Sequence, residues 1–242
     1  MRKITIFLIL ILYLGSCKKD TSDDFRLTLQ SSYTMSVVEA SGLSNYSNGH
    51  FLTISDTLEH VFVINEQGMV LDTLPYQGNN PEGVAWDANS NKIYIVEEKT
   101  NEVVILDEAG EEVNRFAVQV NNLYEKHGLE GITINNNNNH LFLVSEKSPS
   151  LLFEFSTDGA EINRWTLTFA KDYSSVFYDT YLNKLWILSD NSETLTRCDL
   201  TGKAEETWQT GITKAEGVVV DSQARLVYIV SDQTHKFYIL SF

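Results

Sequence analysis

Cysteine, positive charge and long apolar runs are all scarce in this sequence, and each shortage removes a class of protein. Cysteine occurs only as Cys17 and Cys198, and there is no HExxH, no CxxC and no clustered histidine spacing. A zinc centre of ordinary type is therefore excluded. Lysine and arginine number 18 against 33 aspartates and glutamates, a formal charge of −15. Nucleic-acid phosphates would be repelled by such a chain, so no nucleic-acid partner is expected, whereas divalent cations would be attracted. The longest apolar run, residues 4–14, falls short of the ~20 residues that span a bilayer.

That run instead has the form of an export signal. Arg2 and Lys3 precede it and Leu14-Gly15-Ser16-Cys17 follows it, small residues before a cysteine, as in a bacterial lipobox. We expect residues 1–16 to be a signal peptide, Cys17 to carry a lipid, and residues 17–24 ("CKKDTSDD") to form a polar tether. Loss of Arg2 and Lys3 takes the formal charge from −15 to −17. The product would be an exported monomer, held on a bacterial membrane and facing the periplasm or the cell surface. With Cys17 lipidated, Cys198 has no disulfide partner, so residues 25–242 must be stable through their core alone.

Those residues repeat. Aligned on one small residue, "EASGLSN", "NPEGVAW", "GLEGITI", "DYSSVFY" and "KAEGVVV" place Gly42, Gly83, Gly131, Ser175 and Gly217 at intervals of 41, 48, 44 and 42. A period of about 40–45 residues is that of a four-stranded propeller blade. After each anchor come a polar turn, a second strand ("FLTIS", "IYIVE", "LFLVS", "LWILS", "VYIVS") and a third. In four units there follow a glycine hairpin ("EQGM", "EAGE", "TDGA", "LTGK") and a more polar fourth strand. The fifth unit stops at Phe242 after its third strand, and "FRLTLQ" at 25–30 can supply the missing one. The expected fold is all-β, a five-bladed β-propeller closed by strands from both ends of the chain. Trp86, Trp165, Trp186 and Trp208 are expected to pack between blades.

Two sets of carboxylates recur with the repeat. Glu82, Glu130 and Glu216 directly precede the anchor glycine, where inner strands should converge on the axis. Units one and four carry Ser41 and Ser174 instead, with Glu39 and Asp172 as replacement acids. Asp56, Glu98, Glu146, Asp190 and Asp232 form the second set, 14 or 15 residues after each anchor. We expect them to satisfy local turns or to line the opposite mouth of the channel. Carboxylates gathered near one axis need protons, basic partners or a cation. The residues leave two readings of the first set open: a hard dication held by oxygen ligands, or hydrogen bonds that join neighbouring blades.

The "PEGVAWD", "HGLEGITI" and "KAEGVVVD" motifs, with "LFLVSEK", "LWILSD" and "YIVSD", resemble the SdiA-regulated (YjiK-like) propeller family over essentially the whole mature chain. The resemblance implies a five-bladed propeller with a calcium site near its axis, and so favours calcium as the cofactor of Glu82, Glu130 and Glu216, with Glu39 and Asp172 as further ligands. It implies no settled activity. Two functions follow as expectations. The chain is a ligand- or partner-binding module of the cell envelope, or it is a calcium-dependent hydrolase, esterase-like or phytase-like, with His127 as candidate general base. The acidic channel disfavours highly anionic substrates, which favours binding.

Overall fold

The computed structural model describes residues 25–120 and 128–242. Cys17, the expected signal peptide and tether, and His127 lie outside the described residues. Twenty strands form five antiparallel sheets of four. After β1 (Thr28–Thr34), the first blade is β2 (Ala40–Asn45), β3 (Phe51–Ser55), β4 (His60–Ile64) and β5 (Val70–Thr73). The second is β6 (Pro81–Asp87), β7 (Lys92–Glu97), β8 (Glu102–Leu106) and β9 (Glu112–Ala117). The third is β10 (Leu129–Asn135), β11 (His140–Ser145), β12 (Leu151–Ser156) and β13 (Glu161–Thr166). The fourth is β14 (Ser175–Asp179), β15 (Lys184–Ser189), β16 (Thr194–Cys198) and β17 (Ala204–Gln209). The fifth comprises β18 (Ala215–Asp221), β19 (Leu226–Ser231) and β20 (Lys236–Ser241), and β1 completes it by pairing with β20. The five-bladed propeller expected from the repeat is the fold observed.

Burial grades outward along each blade and follows the sequence. Every residue of β3 is buried, and its "FLTIS" and the equivalent runs are apolar on both faces because a blade lies against each face. The fourth strands, such as β9 ("EVNRFA"), are mostly exposed and correspondingly polar. Turn chemistry matches the composition: Asn91, Asn139 and Asn183 each close a first hairpin with positive φ, 53°, 58° and 54°. Of the five asparagines at 135–139, Asn135 ends β10 and the other four form a turn whose last residue is left-handed.

Five apolar clusters fill the five seams between blades. Trp186 and Trp208 meet at a tilt of 38° with a centroid separation of 5.0 Å in the seam of blades four and five, while Trp165 packs at the seam of blades three and four. Each wholly buried large side chain, such as Trp186, Phe153 or Phe142, contributes about 1.5–3 kcal/mol. Cys198 is buried in one of these seams, and burial pushes its thiol up to about 12, so it is an unreactive core residue. The amino-terminal segment also clamps the preceding blade: Leu27 N–H donates to the Gln209 carbonyl at 3.0 Å, and Gln209 N–H donates to the Phe25 carbonyl at 2.8 Å.

Candidate functional site: an acidic mouth built from bulges

The innermost strands β2, β6, β10, β14 and β18 neighbour one another in a ring around the axis. In four of them the register with the second strand slips at the start, between Ala40 and Gly42, Pro81 and Gly83, Leu129 and Gly131, and Ala215 and Gly217. The skipped residues are Ser41, Glu82, Glu130 and Glu216. A bulge leaves one residue unpaired and re-aims its side chain. In blade four Ser174 takes this place; its N–H donates to the Leu188 carbonyl at 3.0 Å and its hydroxyl to the Ala215 carbonyl at 2.8 Å. All five line one cavity of about 190 Å³.

The following glycine is required by close approach of the blades. A Cβ at Gly83 would lie 2.8 Å from the Glu130 carbonyl oxygen and 3.0 Å from Gly131 Cα, and one at Gly131 would lie 2.8 Å from the Val176 nitrogen. These are main-chain atoms of the next blade, which cannot move aside. The "Glu-Gly" pair is therefore one device: the glycine lets adjacent inner strands touch, and the bulge before it turns a carboxylate toward the axis.

The second acidic set lies at the same mouth, not the opposite one. β6 and β7 are antiparallel, so the end of β7 stands beside the start of β6, and the same holds in every blade. Asp56, Glu146, Asp190 and Asp232 line the same cavity as Glu82, Glu130 and Glu216. Glu98 joins from its edge: carboxylate oxygens of Glu98, Glu130 and Glu146 all lie within 4.8 Å of one another. Asp172 also lines the cavity, but donors already hold it: Ser189 Oγ at 2.5 Å, Asn191 N–H at 3.1 Å, and the Asn191 side-chain amide. Glu39 is not among the lining residues; its contribution is a main-chain carbonyl that accepts a hydrogen bond from the Ser41 hydroxyl at 3.4 Å.

Among the described residues, eight carboxylates thus line the cavity with one cation, Lys214. Its ammonium lies 3.2 Å from Asp190 and 3.3 Å from Glu216, and its main-chain N–H donates to Asp190 at 2.8 Å. Burial opposes the charge on Lys214, yet Glu216 and Asp190 outweigh it and raise its pKa. On the other side of the axis, the Asn80 side-chain amide donates both to Glu82 (2.7 Å) and to Glu98 (2.9 Å), and Lys147 pairs with Glu146. Asn80 is a site residue that the sequence reading passed over. The signal available in the sequence was an asparagine directly before Pro81 and Glu82, and the structure gives it a left-handed φ of 56°, a conformation asparagine tolerates.

The carboxylates titrate accordingly. Burial pushes Glu130 well above the carboxylate range, and the charges of Glu82, Glu98, Glu216 and Glu146 push it further. Glu82 is raised by burial and then by Asp56, Glu98 and Glu216, against the opposing Ser41 hydroxyl. Glu216 is raised to about 8, burial and the nearby Asp190 and Asp232 prevailing over Lys214. A cavity of this kind strongly favours any added positive charge.

Comparison with known proteins gives fold and family. In structure, virginiamycin B lyase from Staphylococcus aureus, solved as a catalytically inactive variant with quinupristin, matches with a TM-score of 0.55 at 16% identity, over 84% of this chain and 66% of the lyase. This chain therefore spans just under two thirds of that protein's length. A chain of the nidogen/laminin complex matches with a TM-score of 0.60 at 13% identity, over 79% of this chain and 72% of the other. A streptogramin B lyase matches at 0.52 and 13% identity, over 85% and 70%. At these identities the likeness is one of fold alone. No curated protein matches the chain in sequence. The SdiA-regulated family profile matches residues 18–241, the whole propeller, and the chain belongs to the SdiA-regulated family.

Proposed function

We propose that this chain is an exported, lipid-anchored propeller that binds a ligand or partner in the cell envelope, with calcium held at its acidic mouth. The observation that carries the metal is the convergence of Glu98, Glu130 and Glu146 oxygens within 4.8 Å of one another. Calcium–oxygen distances of about 2.3–2.6 Å allow one ion to reach all three. The donor set is entirely oxygen, as a hard cation requires, and burial with the neighbouring carboxylates raises Glu130, whose ionised form would be favoured by positive compensation. Bound calcium would supply that compensation and tie blade two, through Glu98, to blade three, through Glu130 and Glu146. Export and anchoring are supported by the charged start, the apolar run and the small residues before Cys17.

The test is thermal melting of the purified chain with calcium titrated into chelated protein. A calcium-dependent rise in melting temperature, lost in Glu130→Gln, is expected. A melting temperature indifferent to calcium would remove the metal from the proposal. Hydrolysis is the competing function. Turnover of a chromogenic ester or phosphoester that requires calcium and is lost in His127→Ala would replace binding with catalysis.

A further inference from the structure

The five inner strands that begin at the acidic cavity end at a second and larger one, about 500 Å³, within the range of small-molecule sites. Its lining includes aromatic side chains from four blades, Tyr46, Trp86, Phe177, Tyr181 and Tyr228, beside polar ones such as Asn45, His50 and Asn136. Phe177 is half-buried and packs against the seam clusters on both sides of blade five, forming part of the floor. Tyr46 and Trp86 meet edge to face at 5.2 Å, and Tyr181 stands 64% exposed. The Tyr181 turn is fixed from beneath: Asp179 accepts hydrogen bonds from the Tyr181 N–H at 2.9 Å and the Leu182 N–H at 3.1 Å. The other Asp179 oxygen accepts from Trp186 Nε1 at 3.1 Å and from the Ser222 hydroxyl.

Charge narrows the ligand. Among the described residues the lining contains no lysine and no arginine, and His50 is its one basic side chain, while Glu66 and Asp221 are exposed on it. An anionic ligand would find no permanent counter-charge among these residues. An inorganic cation would lose its hydration against ring faces without gaining enough oxygen ligands. A cation that carries its own apolar surface fits both features, because ring faces are electronegative and attract a positive charge without needing hydrogen bonds from it.

We infer that this aromatic mouth is a binding site for a small organic ammonium cation, separate from the acidic mouth and independent of calcium. The rings surround the cationic head, and Glu66 and Asp221 draw it in by long-range attraction, so binding weakens as salt rises.

The probe is acetylcholine set against its uncharged carbon isostere, dimethylbutyl acetate, measured by calorimetry on the whole chain with and without chelator. Saturable binding of acetylcholine is expected, with at least about a tenfold preference over the isostere. Tyr181→Ala and Trp86→Leu should each weaken binding about three- to tenfold. Glu66→Gln with Asp221→Asn should flatten the salt dependence. Tyr181 and Glu66 are exposed, so their variants keep the test valid if Trp86→Leu fails to fold. Equal affinity for the isostere, no saturable binding of either, or tighter binding of a neutral oligosaccharide would overturn the inference. Binding that disappears in chelator, or in Glu130→Gln, would move the ligand to the acidic mouth and equally overturn it. Persistence in both would stand even if calcium itself proved irrelevant.

Discussion

The two mouths of this channel are made by opposite ends of the same five strands, yet they are built by different rules. At the acidic end, equivalent positions of the repeat do equivalent work: the residue before the anchor faces the cavity in every blade, as a bulge at Ser41, Glu82, Glu130 and Glu216 and without one at Ser174. At the aromatic end equivalence has gone. Two residues past each anchor stand Ser44, Ala85, Thr133, Phe177 and Val219, which share neither size nor polarity. Blade contact demands the first pattern, because inner strands must touch where the glycines lie. Past that point the strands can carry what a ligand requires, so the mouth free of the packing constraint is the one that diverges.

The sharpest way to break this contrast is to insert one carbon branch at each end. Gly131→Val puts a Cβ 2.8 Å from the Val176 nitrogen and 2.9 Å from Ser175 Cα. Neither atom can retreat without opening the ring, and a loss of more than about 4 kcal/mol, or failure to fold, is expected in urea melts. Gly49→Ala, at the aromatic mouth, meets nothing within 4 Å. Its positive φ of 74° sets the cost at about 1 kcal/mol. Comparable losses at the two sites would show that the anchor glycines are not held by blade contact.

That difference also explains what could be read in the sequence. Blade number, hairpins and ring closure follow from spacing and turn residues, and the Glu-Gly pairs stood out because a carboxylate beside an axial glycine recurs three times. The position of the second acidic set was misjudged. An interval of 14 or 15 residues covers one strand out and one strand back, so Asp56 and its equivalents return to the mouth where the first strand began. Antiparallel pairing alone contained that answer. The role of the Glu82 and Glu130 positions as bulges depends on register, which composition does not encode. The aromatic mouth had no repeat to betray it: Trp86 and Phe177 pack against seam clusters as other tryptophans and phenylalanines do, and only the structure shows that they also line the cavity.

Acid pressed into one mouth should make stability depend on pH in a direction set by that mouth. Glu216 titrates near 8 in the folded chain but near 4.5 when unfolded. Between those values the folded state holds a proton that the unfolded state has lost, so stability falls as pH rises from about 4.5 to about 8 and levels off beyond. Each unit of displacement is worth about 1.4 kcal/mol, and Glu82 and Glu130 act in the same direction. Chelated protein should therefore lose a few kcal/mol between pH 5 and pH 8. Glu130→Gln, which removes a charge without changing shape, should reduce that loss. A flat profile in chelator would mean that solvent in the cavity already neutralises the carboxylates.

The smallest expected effect concerns Lys214, the cation among the described residues that line the acidic cavity. Lys214 spans Asp190 and Glu216, but its side chain is 51% exposed, so solvent screens much of the attraction. Lys214→Met should cost about 1 kcal/mol at pH 8, where Glu216 is half ionised and depends on the ammonium. At pH 5 Glu216 is protonated with or without Lys214, and only the contact with Asp190 remains to be lost. The cost should then fall to about half, measured by urea unfolding at the two pH values. An equal cost at both would show that the lysine stem contributes by packing over the cavity wall, and that the mouth's charge balance is set by the carboxylates and their protons alone.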